Sequence, residues 1–204
     1  MEFAVFRVIV AALLFGFVAH RAFYTRKVKH SADAVPEQPE HGRTTQIANL
    51  LALPGLLATV TYVINPAWMS WSALPLPIWM RWLGVGVALV GFALLQFSQR
   101  TLGENWSDAP RLVQGQQMIT AGPYELIRHP IYTSFFLILG SLLLISANWF
   151  IGGVWIAMTG LDVATRIRTE ETLMLGQFGE HYRAYARRTG RLFPRIIKRQ
   201  GAEA

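Results

Sequence analysis

Two clusters of ionisable residues stand at the feet of one apolar hairpin in this chain. The first is RHPIY, Arg128 to Tyr132; the second lies in RIRTEE, Arg166 to Glu171. Asp162, Arg166 and Glu170 are spaced i, i+4, i+8 and share one helical face. Seen alone, that spacing is equally an ion-pair ladder at a helix end. Read as a site, Arg166 offers a planar fork to a carboxylate. Glu170 would then meet a cationic or hydroxyl-bearing ligand. Ionisable groups at a membrane border are costly and tend to mark function.

In RHPIY, Pro130 has no N–H and suits the first position of a helix. His129 falls just before it, where free backbone donors of a helix N-terminus can receive an anion. A capping or packing role for His129 is the structural alternative. Tyr124, at the end of the GPY turn signal, fits either an interfacial anchor or a stacking surface for a planar base. The run Phe178 to Arg188 is amphipathic. It reads first as a helix lying on an anionic leaflet, with a lid over the site as a second role.

These groups need elements to hold them. The chain has 204 residues, 52% of them hydrophobic, and a mean hydropathy of +0.31. Its apolar residues fall in blocks close to the roughly 20 needed to cross a bilayer. The spacing predicts an all-α, polytopic membrane bundle of about five spans, ending in a helical hairpin and an amphipathic tail. It is one domain: residues 1–97 supply three spans and 98–204 the portion that carries both ionisable clusters.

The first span is predicted over Phe3–Tyr24, about 33 Å long and too long for a secretory signal. A polar loop is expected over Ser31–Thr45. The second span covers Gln46–Ile64, with Pro54 inside it. An uncharged outer stretch, Asn65–Pro77, is flanked by Trp68, Trp71, Trp79 and Trp82, an interfacial belt. The third span, Ile78–Phe97, carries Gly84, Ala88 and Gly91 on one face for close helix contact. Ile131–Ile145 and Trp149–Leu161 are short for full crossings and should extend into their polar flanks, with a turn at Ser146–Asn148.

The net charge is +7, from 19 Lys and Arg against 12 Asp and Glu. All the basic residues except Arg7 and Arg81 fall on one side of this scheme. That predicts an amino terminus outside and a site facing the cytoplasm, at the bacterial inner membrane or its equivalent. Arg7 near its helix end can snorkel. No soluble basic domain suggests nucleic acid. Cysteine is absent, which removes disulfides, thiolate metal sites and cysteine nucleophiles; no metal is implied.

TLGENWS (Thr101–Ser107), TAGPYELIRHPIYTS (Thr120–Ser134) and RIRTEETLMLGQFGEHYRAYARRTGRLFPR (Arg166–Arg195) together resemble the isoprenylcysteine carboxyl methyltransferase family of integral membrane enzymes. The resemblance covers roughly the last 100 residues; the amino-terminal helices match in number and character. It implies S-adenosylmethionine as cofactor and S-adenosylhomocysteine as product. Its implied cofactor contacts are Gln116, Gln117, Met118, Ile119, Tyr124, His129, Pro130, Ile131, Tyr132, Glu170 and Glu171. Arg166 takes the place of the substrate-orienting arginine and, with Glu170, the catalytic role. The implied acceptor is lipophilic or lipidated, a carboxylate such as an isoprenylcysteine-type terminus, entering sideways from the membrane lipids. The chain departs from the family at Gln116, often His, at Ser134, usually Gly, and in its tail, where Thr189-Gly190 precede Pro194.

Two other classes fit parts of the pattern. A sterol-type membrane reductase would use a reduced nicotinamide cofactor, but a 2′-phosphate needs Arg or Lys partners, and Glu170-Glu171 suit a ribose or sulfonium better. A small transporter or assembly protein would show inverted repeats or broken mid-membrane helices, and neither is evident.

Overall fold

The computed structural model describes residues 2–31, 39–103 and 118–195, and the side chains of 4–26, 52–103 and 118–195. Six α-helices account for nearly all of this: α1 (Glu2–Ser31), α2 (Pro39–Ile64), α3 (Ile78–Leu102), α4 (Pro130–Ser146), α5 (Trp149–Phe178) and α6 (Glu180–Arg188). Short 3₁₀ turns span Pro66–Ser72 and Gly122–Glu125. The all-α fold expected from the apolar blocks is the fold observed.

Element bounds differ from expectation in an instructive way. The polar loop predicted over Ser31–Thr45 is helical from Pro39 onward. Apolarity marks what lies in lipid, whereas the backbone ladder continues wherever propensity permits. α5 runs 17 residues past Leu161 to Phe178 as one helix, the predicted extension. α1, α3 and α5 each include a stretch long and apolar enough to cross a bilayer: Ala4–Arg26, Ile78–Leu102 and Trp149–Phe178. Ala52–Ile64 and Pro130–Ser146 are shorter apolar helices.

The helices register through small residues. A Cβ on Gly84 would sit 2.8 Å from Leu144 Cβ, and one on Gly91 2.8 Å from Ile138 Cγ1. The small face of α3 therefore lets α4 approach to backbone contact, antiparallel, as the most extensive helix pair. α4 and α5 close a hairpin as tightly: a Cβ on Gly152 would lie 2.1 Å from Leu143 Cβ. α1 runs parallel to α3, with Phe6 against Trp82 at 5.3 Å and His20 Nε2 against Gln96 Oε1 at 3.0 Å. α2 packs on α5 where Gly55 admits the Trp155 ring, and Trp155 Nε1 donates to Thr59 Oγ1 at 2.9 Å.

The end opposite the ionisable clusters is closed by buried polar groups. The Asn148 side chain caps α5 through the Ile151 N–H and donates to Ser72 Oγ at 2.8 Å. Arg81 is buried; its guanidinium donates to Ile145 O at 2.9 Å and lies 3.9 Å over the Phe6 ring. Arg7 donates to Val63 O and Ile64 O, the bare carbonyls ending α2. A cation there offsets the negative end of the helix. Trp68, Trp71 and Trp79 are exposed around this end, as an aromatic belt requires.

Candidate functional site

The site forms where α4 begins. Pro130 occupies its first position and His129 precedes it. Crossing this start is the tail after α6. The Arg128 N–H donates to Gly190 O at 2.8 Å, the His129 N–H to Arg191 O at 3.0 Å, and Thr133 Oγ1 to Leu192 O at 2.6 Å. Gly190 permits this path, because a Cβ there would fall 1.7 Å from Phe193 O.

The anion-receiving helix terminus read from the sequence takes another form. The His129 N–H is used by the tail, Pro130 has none, and the Tyr132 and Thr133 N–H groups both donate to His129 O. The side chains face carboxylates. His129 Nδ1 lies 3.2 Å from Glu170 Oε2, and the Tyr132 hydroxyl donates to Glu170 Oε1. The His129 and Tyr132 rings stack, 5.7 Å apart. His129 Nε2 is 3.5 Å from Glu171 Oε1, near enough for attraction yet buried without a hydrogen bond. Burial works against the charged ring of His129, but the Glu170 and Glu171 carboxylates outweigh it and raise its pKa above 6.5.

Glu171 is held by guanidinium groups: Arg128 Nε at 3.1 Å and Arg191 Nη2 at 2.6 Å. Arg128 also donates to Ala186 O at 2.9 Å and Thr189 O at 2.5 Å, binding α5, α6 and the tail into one clamp. That role was not read from the sequence. An arginine before HPxY has no local signal for it, because its partners are 43 to 61 residues away. Glu170 is the more open of the two carboxylates, 30% exposed against 13%.

Arg166 Nε pairs with Asp162 Oδ1 at 2.8 Å, so the i, i+4 ladder exists. Both residues also act electrostatically on the Tyr132 hydroxyl, which sets the ladder beside the site. Tyr124 is buried, and its hydroxyl has no hydrogen-bond partner. Burial, then the Glu170 charge, pushes its pKa well above the usual tyrosine value. Tyr185 donates to Tyr124 O at 2.7 Å.

Tyr182 and Tyr185 are buried against the protein. The aromatic face of α6 therefore packs on the protein beside the site. Met118 and Ile119 are half-buried in the irregular approach to the GPY turn, and Ile131 packs on the main core. Gln116 and Gln117 lie outside the described residues. Ser134, at the position where the family usually has Gly, is fully buried and donates to Ile131 O at 2.5 Å. Among the described residues, no group of three His, Asp or Glu could hold a metal ion.

Comparisons with known proteins agree with the motif resemblance. Residues 82–176 match the model of the isoprenylcysteine carboxyl methyltransferase (ICMT) family. The fold is shared with the solved eukaryotic intramembrane Ras methyltransferase ICMT, at TM-score 0.54 and 20% identity, covering 80% of this chain and 55% of that one. The chain is 31% identical over 126 residues to the cobalt-zinc-cadmium resistance protein CzcN of Cupriavidus metallidurans. It is 28% identical over 115 residues to the nickel-cobalt-cadmium resistance protein NccN of Alcaligenes xylosoxydans xylosoxydans. The matches cover 59% and 55% of this chain, and it spans about half the length of these relatives, 57% and 53%. Three helices long and apolar enough to cross a membrane, together with the fold shared with that intramembrane protein, support an integral membrane protein.

Proposed function

From residues 82–176, which match the ICMT family, we propose that this protein transfers a methyl group from S-adenosylmethionine to a lipophilic acceptor at the membrane–cytosol border. The acceptor group is a carboxylate, carried by a lipid or lipidated molecule such as an isoprenylcysteine-type terminus. The observation that supports this most is the meeting of His129, Tyr132 and Glu170, from two elements, beside the buried unpartnered hydroxyl of Tyr124.

Those residues fit the cofactor. Glu170 presents a partly open carboxylate to a cation or to hydroxyl groups. Tyr124 and His129 Nε2 are buried polar atoms that a polar ligand would satisfy, relieving a cost of about 1–3 kcal/mol each. Bound S-adenosylmethionine supplies a methyl group on a sulfonium cation. Met118, Ile119, Pro130 and Ile131 would supply apolar contact, and Gln116 and Gln117 complete the set that the family resemblance implies. Glu171, held by Arg128 and Arg191, keeps the His129 ring in place.

A carboxylate acceptor is ionised at neutral pH and needs no general base. The work left is orientation and partial dehydration, and orientation alone is worth several kcal/mol of barrier. Arg166, steadied by Asp162, would hold the acceptor carboxylate from α5. The basic flanks favour a site on the cytoplasmic side and an amino terminus outside.

Labelled methyl transfer into lipid extracts by protein in nanodiscs tests this. Arg166→Ala should keep S-adenosylmethionine binding and lose transfer by about 50-fold, the worth of about 2–3 kcal/mol of charge-assisted bonding. Transfer at the wild-type rate in that variant would remove Arg166 from the reaction. No transfer by the wild-type protein to any extract would remove the reaction itself.

A further inference from the structure

Residues 189–195 form a strap across the start of α4. Its Gly190 and Arg191 carbonyls receive the Arg128 and His129 N–H groups, and Leu192 O receives Thr133 Oγ1. The Leu192 side chain packs on the cluster that Tyr132 of α4 shares with Val163 and Ile167 of α5. α4 has 17 residues, so it is about 26 Å long, against roughly 30 Å of hydrocarbon. Its far end lies beside the exposed Trp71 and Trp149, which mark one membrane border. Its first turn therefore just reaches the other border, and the strap fastened to Thr133 lies at that depth. Phe193 comes next and is 73% exposed. A bare apolar ring at a border is at home in the headgroup–acyl boundary.

The helix that leads into the strap is basic on the side turned from the protein. At 100° per residue, the buried Tyr182 and Tyr185 lie on one side of α6. Arg187 points the opposite way, with Arg183 and Arg188 to either side, and all three are exposed. Arg195, two residues past Phe193, donates to Arg187 O at 2.7 Å and ties this face to the depth of the strap. Glu180 is the sole acid in residues 180–195, against five arginines. It pairs with Arg183, and Arg191 pairs with Glu171. Among the described residues, Arg187, Arg188 and Arg195 carry no ion pair, so the free positive charge of the segment is theirs. They are set along α6 and the strap rather than converging on one point, which suits a charged surface better than a single anion.

We infer that the strap and the outer face of α6 dock on an anionic phospholipid leaflet of the membrane that holds the helices. Phe193 enters the boundary, and Arg187, Arg188 and Arg195 meet the headgroups. The two faces of α6 thus have different partners: the tyrosines pack on the protein and the arginines on lipid. This surface does not depend on what the site transfers.

The test follows amide hydrogen exchange of the whole protein in nanodiscs of phosphatidylcholine, with and without phosphatidylglycerol. Exchange over residues 180–195 should slow at least about fivefold in the anionic discs, the equivalent of about 1 kcal/mol for one arginine at such a surface. A smaller slowing overturns the docking. Residues 66–72, at the other end of the molecule and without a basic side chain, serve as the control; slowing there as large as at 180–195 overturns it too. Arg187→Gln with Arg188→Gln leaves the Arg187 carbonyl and every tyrosine contact in place. Its lipid effect should be smaller than that of the wild type by at least about fivefold; a lesser reduction overturns the assignment to these arginines. Phe193→Ser should speed exchange over 189–195 at least about threefold in both kinds of disc, since its anchoring is apolar and indifferent to leaflet charge. Anything less overturns the placement of Phe193 at the border.

Discussion

Replacing Arg128 by methionine removes one guanidinium while keeping most of the apolar stem. Three donated bonds go with it: to Glu171 Oε1 at 3.1 Å, Ala186 O at 2.9 Å and Thr189 O at 2.5 Å. Each bond to or from a charged group is worth about 1.5–3 kcal/mol. Part of the loss is returned, because a side chain only 10% exposed no longer carries a charge out of water. Glu171 also keeps Arg191 as a partner, so no carboxylate is orphaned. A net loss of about 3 kcal/mol follows, or about 6–12 °C in the thermal midpoint for a chain of this size. The loss should be uneven. The guanidinium ties down the end of α6, at Ala186 O and Thr189 O, where the tail leaves it, so trypsin should cut after Arg187, Arg188, Arg191 and Arg195 sooner than elsewhere. A midpoint within about 1 °C of wild type, with an unchanged cleavage pattern, would refute the clamp.

Gly152→Val should part the α4–α5 hairpin, because even the first added carbon would stand 2.1 Å from Leu143 Cβ. A cost above about 3 kcal/mol is expected from overpacking a helix contact that cannot relax, visible as aggregation in detergent or a large fall in the midpoint. Gly190→Ala should release the tail, since its Cβ would meet Phe193 O at 1.7 Å. Limited proteolysis should show the Arg128→Met pattern without loss of helix content by circular dichroism. His129 has its folded pKa raised above the unfolded 6.5. Its stabilising contribution is thus full below that value and lost as pH rises through the folded value. The stability gap between wild type and His129→Gln should be widest near about pH 6 and close on the alkaline side. A gap that widens with pH would contradict the pairing with Glu170.

The apolar helices and the residues at the hairpin foot were legible because their causes are local. Apolar length marks a helix in lipid, Pro130 marks a helix start, and the i, i+4, i+8 spacing sets Asp162, Arg166 and Glu170 on one face. The small face of Gly84, Ala88 and Gly91 likewise foretold the closest helix contact. What escaped was set by partners distant in sequence. Arg128 reads as one more basic residue until the tail folds back over it. The partners of Arg7, the carbonyls ending α2, lie 56 and 57 residues away. Tyr182 and Tyr185 suggested a lipid-facing stripe, since an amphipathic pattern is the same whether its apolar face meets lipid or protein.

The account depends on Glu170 and His129 sharing one ligand. Equilibrium binding of S-adenosylhomocysteine to the purified protein, beside Glu170→Gln, measures that most directly. Binding by the wild-type protein, weakened at least about tenfold by loss of one charge-assisted acceptor, is the predicted result. Wild-type affinity in Glu170→Gln, or no binding by either protein, would contradict it.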